Sequence, residues 1–577
     1  MTATTIQEFL DFLSLDLARR DTPPPWPPDA FGLAAALLLE SGAYLSVVSE
    51  WPRSGVSRDG FLDVLPEAWN GRMGEIGSAW RRNWSGGDLP QEVVDWWKVV
   101  RSHGDLTLAQ ISGGKAVFCA LLQICAAADE ACYGVGLAYE WDDFGEEAEF
   151  QLLPSQDKGS TLCKEIDPSK LRVLPKFHTP QTGLTLRSLS QNLALWTSFD
   201  ATPLWFTVTD LTETREARPE EPHSLSLLLI PWPTAVTPRQ FVSAKPHYGS
   251  LLNMPTKRFG FFSYHHRPDP NARERLEQIY LAAQELTDHV DGVVLPELAL
   301  DETEHRQIRD WVTGQKSFLI AGVGAPGEGV MPGRNWVAIE VPTDTLGEQE
   351  GHRISAFQNK HHRWRLDRSQ IVQYGLGGQL DPSRHWWEHI RAEARHLTFV
   401  SLQPWLSLCA LVCEDLARQE PVARLVRAVG PNLVIALLMD GPQLASRWPA
   451  RYATVLADDP GSSVLTFTSI GMCEFSRPAG KPPSRTVALW KDSLSGEARE
   501  IDLPAGADAI LLNLVRRMDE EWTADGRSDG GHSGYPALAG VHPVFAREPA
   551  KATRKRSEKR APSGNVPAAG GKRRPSE

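Results

Sequence analysis

Between residues 258 and 514, short apolar runs alternate with amphipathic stretches. Arg258–Tyr264, Gly292–Leu295, Ser317–Val323, Asn335–Val341 and Arg353–Gln358 have the length and composition of strands. So do the run that closes at Cys413, Leu433–Leu438, Ser463–Ser469, Thr486–Trp490 and Ala509–Leu514. Helical spacing fills the gaps, beginning at Asp269-Pro270 and then at Asp301–Val312, His385–Leu397, Pro421–Val429 and Leu444–Asp459. Strands this apolar must be covered on both faces, so the pattern predicts a layered α/β domain with buried sheets.

Three of these strands stop at an ionisable residue. Val293-Val294-Leu295-Pro296 leads to Glu297, Arg353–Gln358 leads through Asn359 to Lys360, and Leu408–Val412 leads to Cys413-Glu414-Asp415. Loops at strand ends converge on rigid supports, and sites are built there. A lone cysteine at the end of an apolar strand is usually a small buried hydrophobe, the reading kept for Cys409. A carboxylate, an amine and a thiol together suffice for thiol acyl transfer. Glu297 would take the thiol proton, the Cys413 thiolate would attack an acyl carbon, and Lys360 would stabilise the oxyanion. The helix start expected after Cys413 would favour the thiolate and place the Glu414 N–H at the oxyanion.

In this order, Val293–Glu297, Asn359-Lys360 and Leu411–Asp415 resemble the carbon–nitrogen hydrolase (nitrilase) superfamily, and Cys413-Glu414-Asp415 is also similar to the glutaminase domains of NAD synthetases. The resemblance covers about Pro255–Asp525. It implies a four-layer αββα sandwich with Glu297 as general base, Lys360 as its lysine and Cys413 as nucleophile. It further implies a non-peptide amide as small-molecule substrate, a homodimer or larger assembly, and no metal or cofactor. The interval from Lys360 to Cys413 is long for the family, which predicts an insertion around Gly375–Trp387. Many members carry a second glutamate in this interval. Asp367 is a candidate for that place, and Glu388 a lesser one because it falls in the expected helix. Glu520–Arg527 resembles nitrilase-type domains fused to bacterial defence reverse transcriptases, although no polymerase YxDD signature occurs.

At 577 residues the chain is long enough for more than one core. Residues 1–230 are expected to be helical and then mixed α/β, 231–255 a Pro-rich linker, 256–545 the nitrilase-like domain and 546–577 a basic disordered tail. Helices are expected at Thr5–Ala18, Phe31–Leu39, Val93–Val100, Gly113–Cys132 and Ser188–Trp196, and the expected strands include Phe150–Leu153, Leu204–Leu211 and Leu225–Pro231. Gly113-Gly114-Lys115 lacks the full phosphate-loop pattern. A net charge of −12 argues against general nucleic-acid binding. The tail Arg547–Glu577, with ten Lys/Arg against three Asp/Glu, offers only a weak contact of that kind. Seven cysteines without CxxC spacing fit a reducing compartment. With no signal-like N-terminus and no apolar segment long enough to span a bilayer, this predicts a cytoplasmic protein away from membranes. His265-His266 and His361-His362 are adjacent pairs whose side chains diverge on a strand, so no metal site is expected. A different class of function stays open: a catalytically silent scaffold, or a defence-system component whose role lies in the N-terminal half. Acyl transfer to an amine instead of water shares every step up to the thioester.

Overall fold

The computed structural model describes residues 4–14, 20–49, 66–84, 87–138, 160–180, 183–198, 200–208, 223–244, 258–328, 330–343, 353–478 and 480–546. The expected strand Phe150–Leu153, residues 245–255 of the expected linker and the basic tail from 547 lie outside them.

Strands β1 to β20 run in chain order as Arg172–Pro175, Leu193–Trp196, Thr202–Thr207, Ser224–Leu229, Phe241–Ala244, Phe259–Tyr264, Gly292–Leu300, Phe318–Ala325, Arg334–Pro342, Arg353–Asn359, Arg365–Leu366, His385–Glu388, His396–Gln403, Leu406–Val412, Leu433–Leu438, Ser463–Thr468, Thr486–Lys491, Arg499–Asp502, Ala509–Asp519 and Ser533–Val544. One seven-stranded sheet has the order β10-β9-β8-β7-β4-β19-β20, and a second has β18-β17-β16-β15-β14-β13-β3. The period of two along a strand explains how the first sheet is covered twice. Val294, Ile320, Val337, Ile339 and Leu512 enter the core between the sheets. Their neighbours Val293, Leu295, Leu319, Ala321, Ala338 and Leu511 pack instead with Leu276, Ile279, Ile308 and Val312 of two outer helices, Ala272–Gln284 and Glu302–Gly314. Across the interior, Gln358 of β10 donates to the Ala410 carbonyl of β14 (2.8 Å) and accepts from the Thr398 N–H of β13 (2.8 Å). Helix Trp448–Asp458 packs on β16 and β17 of the second sheet. Helix, sheet, sheet and helix thus form four layers.

Both sheets draw on the chain before residue 231. β4 pairs with β7 on one side and β19 on the other, and β3 extends the second sheet beside β13. The described end of the expected linker contains β5, which pairs with β6. The structural division therefore does not follow 231–255, because strands from before it complete sheets formed after it. A third sheet, β11-β12-β6-β5, joins this stretch to the segment after Lys360.

Two helical expectations are corrected. His385–Leu397 holds β12 and the start of β13, because Trp386 and Trp387 alternate between faces in parallel register with Gly260 and Phe261 of β6. Ser188–Trp196 is the end of a 3₁₀ turn followed by β2, which pairs with β1. The other N-terminal helices form, as Ile6–Leu13, Pro27–Ser41, Gln91–Ser102 and Lys115–Ala131. Thr5 starts the first by accepting from Glu8 N–H (3.2 Å), while the Glu8 carboxylate accepts from Thr5 N–H (2.9 Å), a reciprocal cap. Among the described residues no helix is long and apolar enough to cross a membrane.

The N-terminal helices are fastened to the sheets by one buried cation. Arg527, fully buried, meets Asp525 (2.9 Å), Asp129 (3.0 Å) and Glu130 (2.8 Å) and donates to the Leu189 carbonyl (2.5 Å). Asp129 also accepts from the N–H groups of Gln191, Asn192 and Leu193, just before and within β2. Arg527→Met would leave these carboxylates buried and unpaired. It is expected to cost about 3–5 kcal/mol, read by chemical denaturation of the full chain; a change within about 0.5 kcal/mol would show that the cluster does not hold these parts together.

Candidate active site

Three strand ends bring the first groups together. β7 runs apolar through Leu295 and delivers Glu297, with Leu298 left-handed immediately after it (φ 55). Gly322 of β8 lies directly beneath this bend. A Cβ there would sit 2.3 Å from the Pro296 carbonyl oxygen and 2.5 Å from Glu297 Cα, so only glycine lets the two strands approach. β10 closes at Asn359, and Lys360 N–H donates to the Asn335 carbonyl (2.8 Å), fixing the lysine over β9. β14 ends at Cys413, also left-handed (φ 47), where the chain turns out of the sheet. Two non-glycine residues in this sparsely populated region, both beside the same cluster, mark local strain held by the surrounding fold.

At the centre, Lys360 Nζ donates to Glu297 Oε1 (2.8 Å) and Glu388 Oε2 (2.7 Å), with all three side chains almost entirely buried. Asn335 Nδ2 bridges the same carboxylates, to Glu297 Oε1 (2.8 Å) and Glu388 Oε1 (2.9 Å). The remaining oxygen of Glu297 accepts from Met439 N–H at the end of β15 (2.6 Å), and Glu388 Oε2 accepts from Trp364 N–H (3.1 Å). Burial opposes charge on Lys360, but Glu297 and Glu388 outweigh it and hold the ammonium well above the ordinary lysine range. Burial raises Glu297, with Lys360 pulling the other way, so it is a stronger base than a surface glutamate.

Cys413 is 4 % exposed. Burial pushes its thiol well up and the Glu297 charge adds to this, while Lys360 opposes it. The expectation that a helix start favours the thiolate is therefore corrected. The turn Cys413–Ala417 is a short 3₁₀ stretch with two acidic residues, and its surroundings favour the neutral thiol over the thiolate. Cys409, whose thiol burial alone raises, remains a core residue.

The position of the second carboxylate is also corrected. Asp367 is a helix cap, accepting from Gln370 N–H (3.0 Å). Glu388, set aside because of the expected helix, is the carboxylate on Lys360, since a strand and not a helix carries it. Two further groups gave little sequence signal. Asn335 is a polar residue opening an apolar strand, and Asp415 stands in the Cys413-Glu414-Asp415 motif without a role assigned to it. Asp415 is buried and accepts from His361 N–H (3.1 Å), His362 N–H (3.1 Å) and the His362 ring (2.7 Å). It thereby ties the turn after Cys413 to the loop after Lys360. The histidine pair serves this link through both backbone N–H groups and the His362 ring, and no group of metal ligands occurs among the described residues. The third sheet lays an aromatic face beside the cluster, where Phe241, Phe262, Trp364 and Tyr374 pack with Leu298 and Met439. This apolar wall lowers the local dielectric and strengthens the charges it encloses.

No protein-family model and no curated protein matches the chain. Similarity is found to solved structures of nitrilase-superfamily carbon–nitrogen hydrolases. One is an amidase from Nesterenkonia sp. AN1, at 13 % identity over 49 % of this chain and 94 % of that one, with a TM-score of 0.28. Another is Saccharomyces cerevisiae Nit3, a member of branch 10 of the nitrilase superfamily, at 13 % identity over 48 % and 90 % with a TM-score of 0.28. A third is the glutamine-dependent NAD+ synthetase of Acinetobacter baumannii, at 13 % identity over 50 % of this chain, with a TM-score of 0.28. The chain spans only 45 % of the length of that synthetase.

The contacts separate the two candidate carboxylates. With Cys413 tested as a nucleophile toward an amide, Glu388→Gln is expected to lower the rate of its acylation by on the order of 10²-fold. Asp367→Asn, which keeps a capping side chain, should stay within about twofold of the parent. Equal effects in the two variants, measured by single-turnover kinetics, would remove Glu388 from the site.

Proposed function

We propose that the chain is a thiol-dependent hydrolase of a non-peptide amide C–N bond in a small molecule. The observation that carries this reading is the buried ammonium of Lys360 held between two glutamates, near the strained and buried thiol of Cys413. Glu297, its basicity raised by burial, takes the Sγ proton as sulfur bonds to the amide carbon. The carbonyl oxygen becomes an oxyanion facing the Lys360 ammonium and the Glu414 N–H. Glu388 and Asn335 keep Lys360 charged and aimed.

Collapse of this intermediate breaks the C–N bond, and the leaving nitrogen receives the proton from Glu297. The acyl group stays on Cys413 as a thioester. Water then gives a proton to Glu297 and adds to the thioester, and a second collapse returns the proton to sulfur and releases the acid. One residue thus moves each proton out and back, while the lysine remains charged throughout.

Incubation of the full chain with an amide panel, followed by intact mass spectrometry, tests the reading. A mass shift of one acyl group is expected on the parent and none on Cys413→Ala; an adduct that persists in Cys413→Ala overturns it. Raised basicity also sets the acid limb. The proton-accepting form of Glu297 is present above its raised pKa and lost as pH falls through it. kcat/KM should therefore decline on the acid side at a pH above the ordinary glutamate value of about 4.3. A limb at or below that value in a pH–rate profile would point to a solvated base.

A further inference from the structure

Two sequence features take no part in the chemistry above: the Pro231-Trp232-Pro233 turn and the His265-His266 pair. They meet at an open cavity of about 350 Å³ between the end of β4, the end of β6 and the start of helix Ala272–Gln284. This is a volume suited to a small ligand. Trp232, Gln240, His266, Arg267, Arg275 and Glu304 are among its lining residues, and none of Glu297, Lys360, Glu388 and Cys413 is.

Its hydrogen-bonding capacity is lopsided. Glu304 is saturated, with Oε1 accepting from Asp269 N–H (2.6 Å) and Oε2 accepting from Asp301 N–H (2.9 Å) and meeting His266 Nε2 (2.7 Å). Asp269 accepts from Asn271 N–H (3.0 Å) on one oxygen and from Arg275 (2.5 Å) on the other. Gln240 spends its amide on the Tyr264 hydroxyl and the His265 carbonyl, and its oxygen on Thr237.

The donors are less used. Arg275 lies 5.0 Å from the Trp232 ring centre and commits one guanidinium nitrogen to Asp269. Arg267 is exposed at the rim, and no ion pair is found for it among the described residues. The His266 side chain is 7 % exposed, and with Nε2 on Glu304 its Nδ1 is buried without a hydrogen-bond partner. Satisfied acceptors, spare guanidinium donors and walls from Pro233, Ala235 and Ala299 suit a ligand with an anionic head and an apolar body.

We propose that this cavity binds a small oxyanion-bearing molecule, its carboxylate or phosphate oxygens on Arg267 and Arg275 and its body against the proline and alanine wall. Isothermal titration of the full chain with benzoate, inorganic phosphate and the neutral control benzyl alcohol tests it. Saturable binding of benzoate or phosphate at one site per chain is expected, with no binding of the alcohol. The tighter arm distinguishes a carboxylate from a phosphate head. The affinity should fall about tenfold or more in Arg267→Gln/Arg275→Gln and in the rim variant Arg267→Glu, which breaks no ion pair of the fold. Thermal unfolding at the parental temperature shows that a variant is folded. Absence of saturable binding by both anions, or unchanged affinity in folded Arg267→Glu, overturns the proposal.

Discussion

The buried ammonium of Lys360 is the interaction on which the other parts of the site depend. Taking one cation and two carboxylates out of water is costly, and only close mutual pairing with further hydrogen bonds offsets it. Here each partner arrives from a different place. Glu297 comes from β7, Glu388 from β12 of the small sheet, Asn335 from β9 and the Met439 N–H from the end of β15. The charge cluster therefore cannot form until the large sheets and the small one have docked. The same docking encloses it behind the aromatic wall. Stability and chemistry draw on one set of contacts.

Strain is placed around this cluster in a matching way. Leu298 and Cys413 both hold left-handed backbone without being glycine, at about 1–3 kcal/mol each. One bend follows Glu297 and the other carries the Cys413 sulfur. Gly322 makes room for the first, and Asp415 anchors the turn that follows the second. Burial raises both the Cys413 thiol and the Glu297 carboxyl, and the Lys360 ammonium opposes the rise in each.

Much of this arrangement was legible in the sequence, since apolar runs that stop at Glu297, Lys360 and Cys413 carry strand and site in the same few residues. Glu388 was not. His385–Glu388 is four residues long and rich in tryptophan, and it becomes a strand only because β6, more than a hundred residues earlier, offers a parallel edge. β4 was recognisable as a strand, but not as an interior member of the first sheet, because its partner β19 comes nearly three hundred residues later. Local patterns report local hydrogen bonding, whereas pairing partners and sheet order depend on contacts far apart in the chain. Asn335 stayed hidden for a related reason: its side-chain partners, Glu297 and Glu388, stand on other strands.

The interior place of β4 bears on how the molecule is assembled. On a ribosome its strand emerges early, while β19 is made close to the end of the described fold. Until then one edge of an apolar strand has no native neighbour. Such long-range closure slows folding and prolongs the exposure of sticky intermediates. The N-terminal helices, complete by Ala131, are finished before β4 is made. Their own tie to the sheets waits just as long, since Arg527, the partner of Asp129 and Glu130, is made after β19.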